Sequence, residues 1–144
     1  MAATLQQLDV TINTKNVPRS AEWYQRMLGL KAEMAVPDKT KPTWVRLKAT
    51  PTGPAVMIGD GSDPFTGKKA TKTTLDAVAA RKAQKVVSFY FTVDTDIDKL
   101  YASVKRKGAK IVQELTQQSY GMKDFVIQDP DGYAVGVGMV SRPE

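Results

Sequence analysis

Neither cysteine nor histidine occurs anywhere in the 144 residues. The first absence rules out disulfides, thiolate metal sites and a cysteine nucleophile. The second removes both the commonest metal ligand and the commonest general base near neutral pH. Any chemistry must therefore use carboxylates, hydroxyls, lysines or bound water. Long apolar runs are missing too, since no stretch of about 18 apolar residues is available to cross a membrane. Residues Met1 to Val10 show neither the basic start nor the apolar stretch of a secretory leader. A cytoplasmic protein without a membrane partner is expected.

Hydrophobic residues make up 42% of the chain, enough to bury most of its apolar surface as a single domain over 1–144. The 21 basic residues exceed the 15 acidic ones, giving a net charge of +6. The lysines are dispersed over Lys39–Lys41, Lys68–Lys72, Arg81–Lys85 and Lys105–Lys110, with no recognisable nucleic-acid motif beside them. That distribution points to a solvated surface or an acidic metabolite and away from nucleic acid.

A pattern is written twice. Leu8 to Thr14 lies over Val87 to Val93, each alternating apolar with mostly polar residues as a half-buried strand does. The same offset places Gly29 on Gly108 and the stretch Gly53 to Ile58 on Gly132 to Val137. One offset serving three separate places implies two similar modules. In the first, Asn16-Val17-Pro18-Arg19-Ser20 starts a helix, with Ala21, Tyr24, Met27 and Leu28 at helical spacing and Gly29 at its end. Strands are expected at Ala32–Val36, Thr43–Ala49 and Ala55–Ile58. In the second, a strand at Val86–Val93 precedes a helix over Ile97–Lys107 and strands at Lys110–Leu115, Lys123–Gln128 and Ala134–Val140. Both read βαβββ, module one over about 5–60 and module two over about 85–141. The connector, about 61–84, is long enough to be a lid, a short amphipathic helix through Leu75 and Val78, or an ordinary linker.

Two stretches carry a family resemblance. Val17-Pro18-Arg19-Ser20-Ala21-Glu22-Trp23-Tyr24-Gln25-Arg26-Met27-Leu28-Gly29-Leu30 resembles the first helix of the vicinal oxygen chelate superfamily, which includes glyoxalase I, bleomycin-resistance proteins, fosfomycin-resistance enzymes and extradiol dioxygenases. Tyr120-Gly121-Met122-Lys123-Asp124-Phe125, followed by Asp129-Pro130-Asp131-Gly132-Tyr133, resembles its C-terminal strand-turn-strand signature. The resemblance implies an α+β fold in which two βαβββ modules form a curved mixed sheet around a groove, with two chains paired as a homodimer. Trp23, in the helix motif, is expected to be structural or to lie at the dimer interface.

In the family's metalloenzymes, four side chains hold one divalent ion. Carried over, those positions fall on Asp9, Met57, Ser88 and Gly136, which include a single hard anionic ligand. The resemblance therefore implies a protein without the usual metal site, and no cofactor is expected.

Strand alternation puts Val10, Ile12, Phe89, Phe91 and Val93 on the face under the helices, with Asp9, Thr11, Asn13, Ser88, Tyr90 and Thr92 on the other. On the last strand Ala134, Gly136 and Gly138 alternate, leaving room for a ligand or for close packing. Trp44, Tyr90, Tyr120 and Met122 are candidates for stacking on a flat ligand. Asp9 is a candidate general base or ligand partner, or else a solvent-reachable aspartate bonded to Thr11 or Asn13. Arg46 is placed to pair with it or to bind an anion. The candidate ligand set is thus Asp9, Trp44, Met57, Ser88, Tyr90, Tyr120, Met122 and Gly136.

Three functions fit these residues. The first is a metal-independent binder of a small aromatic or amphipathic molecule. The second is a lyase, isomerase or dioxygenase-like enzyme that dispenses with the usual ligands or holds a metal atypically. The third is an interaction module whose groove is filled by its own side chains. The +6 charge weighs against a cationic drug.

Overall fold

A computed structural model describes residues 3, 5, 8–72, 76 and 87–141, with only the backbone of 87 and 88. The chain divides into two compact units, Met1–Val78 and Ala79–Glu144, the boundary falling inside the connector expected at 61–84. Leu75 and Val78, on which a connector helix was expected, lie outside the described residues.

Unit one contains β1 (Val10–Asn13), α1 (Val17–Leu28), β2 (Lys31–Val36), β3 (Trp44–Lys48) and β4 (Ala55–Gly59). Its sheet runs β1-β4-β3-β2, with β1 parallel to β4 and the other pairs antiparallel. The boundaries of α1 follow from its ends. The Asn16 side chain accepts the Arg19 N–H at 3.1 Å, Pro18 occupies the first turn, and Gly29 turns left-handed at φ 70° while its N–H reaches the Gln25 carbonyl. Val17, Ala21, Tyr24 and Met27 face inward together with Trp23, whose ring meets Tyr24 edge-on with centroids 4.8 Å apart. Trp23 is thus a buried part of its own unit.

Unit two repeats the order with β5 (Val87–Val93), α2 (Ile97–Arg106), β6 (Lys110–Gln117), β7 (Met122–Gln128) and β8 (Ala134–Val140). Its sheet runs β5-β8-β7-β6, again with one parallel pair, β5 with β8. The α+β class and the two βαβββ modules are as expected, with the strands organised as two four-stranded mixed sheets. The last hairpin is tight because Asp129 accepts the Asp131 and Tyr133 N–H groups, each at 2.9 Å, while Gly132 takes φ 93°.

Each sheet keeps one face for its helix. In unit one that face carries Ile12, Val45, Leu47, Val56 and Ile58, all buried. In unit two it carries Phe125, Ile127, Val135 and Val137, with Tyr101 of α2 tilted against Phe125 at 5.2 Å. The side chains between these in sequence necessarily occupy the opposite, helix-free face. Every candidate site residue on a strand whose side chain is described falls into that set. Among the described residues no helix is long and apolar enough to cross a membrane.

Candidate functional site

In unit one, Trp44, Arg46 and Lys48 of β3 share the helix-free face with Thr11, Asn13 and Met57, as the pairings Thr11 with Met57 and Arg46 with Met57 require. Asp9 sits just before β1. Its Oδ2 accepts from Arg46 Nη2 at 2.9 Å and its Oδ1 from the Ala55 N–H at 3.0 Å. Arg46 and the start of β4 are thus among its partners. Glu33 extends the network to Arg46 Nε at 3.4 Å and to Lys48 Nζ at 3.5 Å. Trp44 lies against the bare Cα of Gly59, where an added Cβ would stand 3.3 Å from Trp44 Cδ1. A cavity of about 370 Å³ opens beside the network, lined by Lys31, Glu33, Lys48, Thr50 and Pro51 among others.

Unit two holds a denser arrangement, centred on a residue that sequence reasoning did not single out. Asp124 of β7 is only 3% exposed. Its Oδ2 accepts from the Tyr120 hydroxyl at 2.6 Å and the Tyr90 hydroxyl at 3.0 Å. Its Oδ1 accepts from Gln118 Nε2 at 2.8 Å and Gln113 Nε2 at 2.9 Å. The order β5-β8-β7 explains how Tyr90 gets there. Its ring leaves β5, crosses β8 over Gly138 and reaches Asp124, which pairs with Gly138. An added Cβ on Gly138 would stand 1.7 Å from the Tyr90 hydroxyl, so only glycine permits the crossing.

The donors decide the charge state. Burial alone pushes the Asp124 carboxyl up, but the bonds from Tyr120, Gln118, Gln113 and Tyr90 together outweigh it and hold the group below its ordinary value. Burial, the bond to Asp124 and its charge push the Tyr90 phenol up, and the same bond followed by burial does so for Tyr120. Both phenols accordingly stay neutral donors. The phenolate absorbance of these two tyrosines should appear at higher pH in the native protein than in Asp124→Asn. Alkaline spectrophotometric titration of the two proteins checks this, and coincident curves would contradict it.

The remaining candidates fall around this cluster or outside description. Met122 and Gly136 share the helix-free face with Asp124, and Gly136 pairs with Tyr90. The backbone of Ser88 lies in β5 where pairing shifts between Val87 and Phe89, and its side chain is outside the described residues. The room expected beside Gly136 and Gly138 is, over Gly138, occupied by Tyr90.

A model of the Glyoxalase/Bleomycin resistance protein/Dioxygenase superfamily matches residues 6–137. The chain belongs to this superfamily. No curated protein matches it by sequence. Among solved structures it is similar to TioX from Micromonospora sp. ML1, at 18% identity over 93% of this chain and 98% of that one, with a TM-score of 0.67. TnmS3, an antibiotic binding protein from Streptomyces sp. CB03234, aligns at 14% identity over 97% and 98%, with a TM-score of 0.65. A glyoxalase/bleomycin resistance protein/dioxygenase family enzyme from Burkholderia phytofirmans PsJN aligns at 18% identity over 91% and 95%, with a TM-score of 0.58. At these identities the likeness is one of fold.

Among the described side chains, those at the carried-over positions do not fit the metal that the superfamily's metalloenzymes hold. Asp9 is engaged by Arg46 and an amide, Met57 offers only a thioether, and Gly136 offers nothing. Among the described residues, no group of three or more aspartates or glutamates is gathered to hold an ion.

Proposed function

We propose that this superfamily member binds a small aromatic or amphipathic molecule without a metal ion, with Tyr90, Tyr120, Met122 and Gly136 of unit two contributing, and with Asp9, Trp44 and Met57 of unit one as a separate set of candidates. The observation that carries this reading is the Tyr90–Asp124–Tyr120 cluster. A buried carboxylate fixes two phenols, 42% and 65% exposed, on a helix-free face. Aromatic walls fixed by hydrogen bonds lose little conformational freedom when a ligand stacks on them. TnmS3, of the same fold, is an antibiotic binding protein, which supports an organic ligand of that kind. By resemblance to the family's binders, the working form is proposed to be a homodimer in the cytoplasm, which sedimentation and fractionation would check.

A second reading has its own observation. Tyr90 already fills the space over Gly138, as expected of a face closed by its own side chains and used for contact with a macromolecule. One experiment separates the two readings. Melting temperature and metal content are measured with a panel of aromatic antibiotics, and with nickel, zinc, manganese and ferrous iron. An organic ligand at about 100 times its Kd should add roughly 2.7 kcal/mol, a shift of a few degrees. Shifts with organic compounds and none with metals are expected. A stoichiometric, tightly held ion would overturn the metal-free reading, and no response to any organic compound would favour the closed face.

A further inference from the structure

Among the described residues, the Asp124 carboxylate on the helix-free face of unit two has no counter-charge. No lysine or arginine among the described residues forms an ion pair with Asp124, and its sequence neighbour Lys123 points to the other face, where it binds Asp98 Oδ1 at 2.8 Å. All four groups on the Asp124 carboxylate are neutral. Carboxylates this deeply buried are ordinarily paired with a cation or a metal. Three of the four donors are anchored by their elements or partly enclosed: Tyr90 crosses the sheet, Gln113 extends from β6, and Gln118 is partly buried. The fourth differs. Tyr120 is 65% exposed, in the turn that leads into β7, against 42% for Tyr90, the other donor on Oδ2.

We infer that Asp124 is the recognition point for a positively charged nitrogen group on the ligand, an ammonium or guanidinium, which takes the place of the Tyr120 hydroxyl at Oδ2. The inference rests on the small-molecule reading above and names the ligand class of that site. The exchange is favourable on bond type alone, because a charge-assisted N–H bond to a carboxylate is about twice as strong as a neutral one. Tyr120, already mostly in solvent, loses little by swinging out, and its hydroxyl finds water. Tyr90 and the two glutamines remain on the carboxylate, so it is never stripped of donors. The overall charge of +6 does not forbid this, contrary to the expectation from composition. Dispersed surface lysines are screened beyond a Debye length of about 8 Å, whereas the cation meets Asp124 at contact distance in a poorly hydrated setting. A bare metal ion is a poorer occupant, since among the described residues no group of three or more aspartates or glutamates is gathered to hold one.

The test uses three probes that share one ring and differ in charge: tryptamine, 3-ethylindole and indole-3-propionate, with affinities measured by calorimetry on the full chain. Tryptamine should bind about tenfold more tightly than 3-ethylindole, and indole-3-propionate should bind most weakly. Tyr120→Phe removes the competing hydroxyl while keeping the ring, so it should raise the affinity ratio of tryptamine to 3-ethylindole by roughly threefold to tenfold, a ratio in which any change to the shared stacking surface cancels. Asp124→Asn should erase the preference for the ammonium. Equal affinity for tryptamine and 3-ethylindole in the native protein, or a ratio that does not rise in Tyr120→Phe, overturns the inference and leaves the small-molecule reading standing. If no indole and no antibiotic of the wider panel binds, both fall. Tyr120→Phe touches no buried packing and keeps the test decisive even if Asp124→Asn fails to fold.

Discussion

Gly138→Ala is expected to drive the Tyr90 ring off the second sheet and to cost about 2–4 kcal/mol of stability. The added methyl would stand 1.7 Å from the Tyr90 hydroxyl, 2.5 Å from Cζ and 3.0 Å from Cε1, so the ring has to move as a unit. When it moves, Asp124 loses one of four donors on a buried carboxylate. Hydrogen bonds to charged groups contribute about 1.5–3 kcal/mol, and forcing a methyl into a packed site costs about 1–3 kcal/mol. Chemical denaturation of the single variants and of Gly138→Ala combined with Tyr90→Ala checks the cause. Once the ring is gone the methyl has nothing to displace, so the double variant should be much less destabilised than the two single costs added together. Strict additivity would show that the glycine is needed for some other reason. The same substitution should abolish the stacking wall proposed for Tyr90, so aromatic compounds that bind the native protein should bind more weakly to it.

Most of the fold was legible because the two modules repeat with one offset through strands and turns. The pairings bear the register out: Thr11 pairs with Met57 as Tyr90 pairs with Gly136, and Ile12 with Ile58 as Phe91 with Val137. Elements expected from alternation and helical spacing appear within two residues of their expected ends, and the strand at Ala134–Val140 at both. The site was less legible, for a reason the same register explains. The hairpin loop between β3 and β4 is one residue longer than that between β7 and β8, so the third strands are offset by one more position. The fixed offset lays Asp124 over Val45, a buried core residue. In the sheets its counterpart is Trp44, since Trp44 pairs with Gly59 as Asp124 pairs with Gly138. Alternation along β7 was the available signal: with Phe125 and Ile127 facing the helix, Asp124 had to face the other way. The Arg46 pairing of Asp9 was foreseeable by charge, but its bond to the Ala55 amide was not, because a loop residue's backbone partner depends on where two strands end.

Asp124→Asn carries the second large effect, a loss of about 1–3 kcal/mol near neutral pH, and its pH dependence identifies the cause. A carboxylate accepts on both oxygens, and here each oxygen takes two donors. A carboxamide has one acceptor oxygen and turns its own N–H groups toward two of those donors, so at least one pair must rotate away or remain unsatisfied. The folded protein holds the Asp124 carboxyl below its ordinary value. For a group depressed in this way, the stability it contributes is fully present above the unfolded-state pKa of about 3.9 and is lost as pH falls through the lower folded-state value. The native protein should therefore lose its advantage over Asp124→Asn progressively below about pH 4, while the gap stays constant from there to neutrality. Denaturation curves for both proteins at matched ionic strength measure that gap directly. A gap that persists unchanged into strong acid would mean that the asparagine fails on shape alone. A gap that closes would tie the cost to the ionised carboxylate, the same charge proposed to receive the ligand's cation.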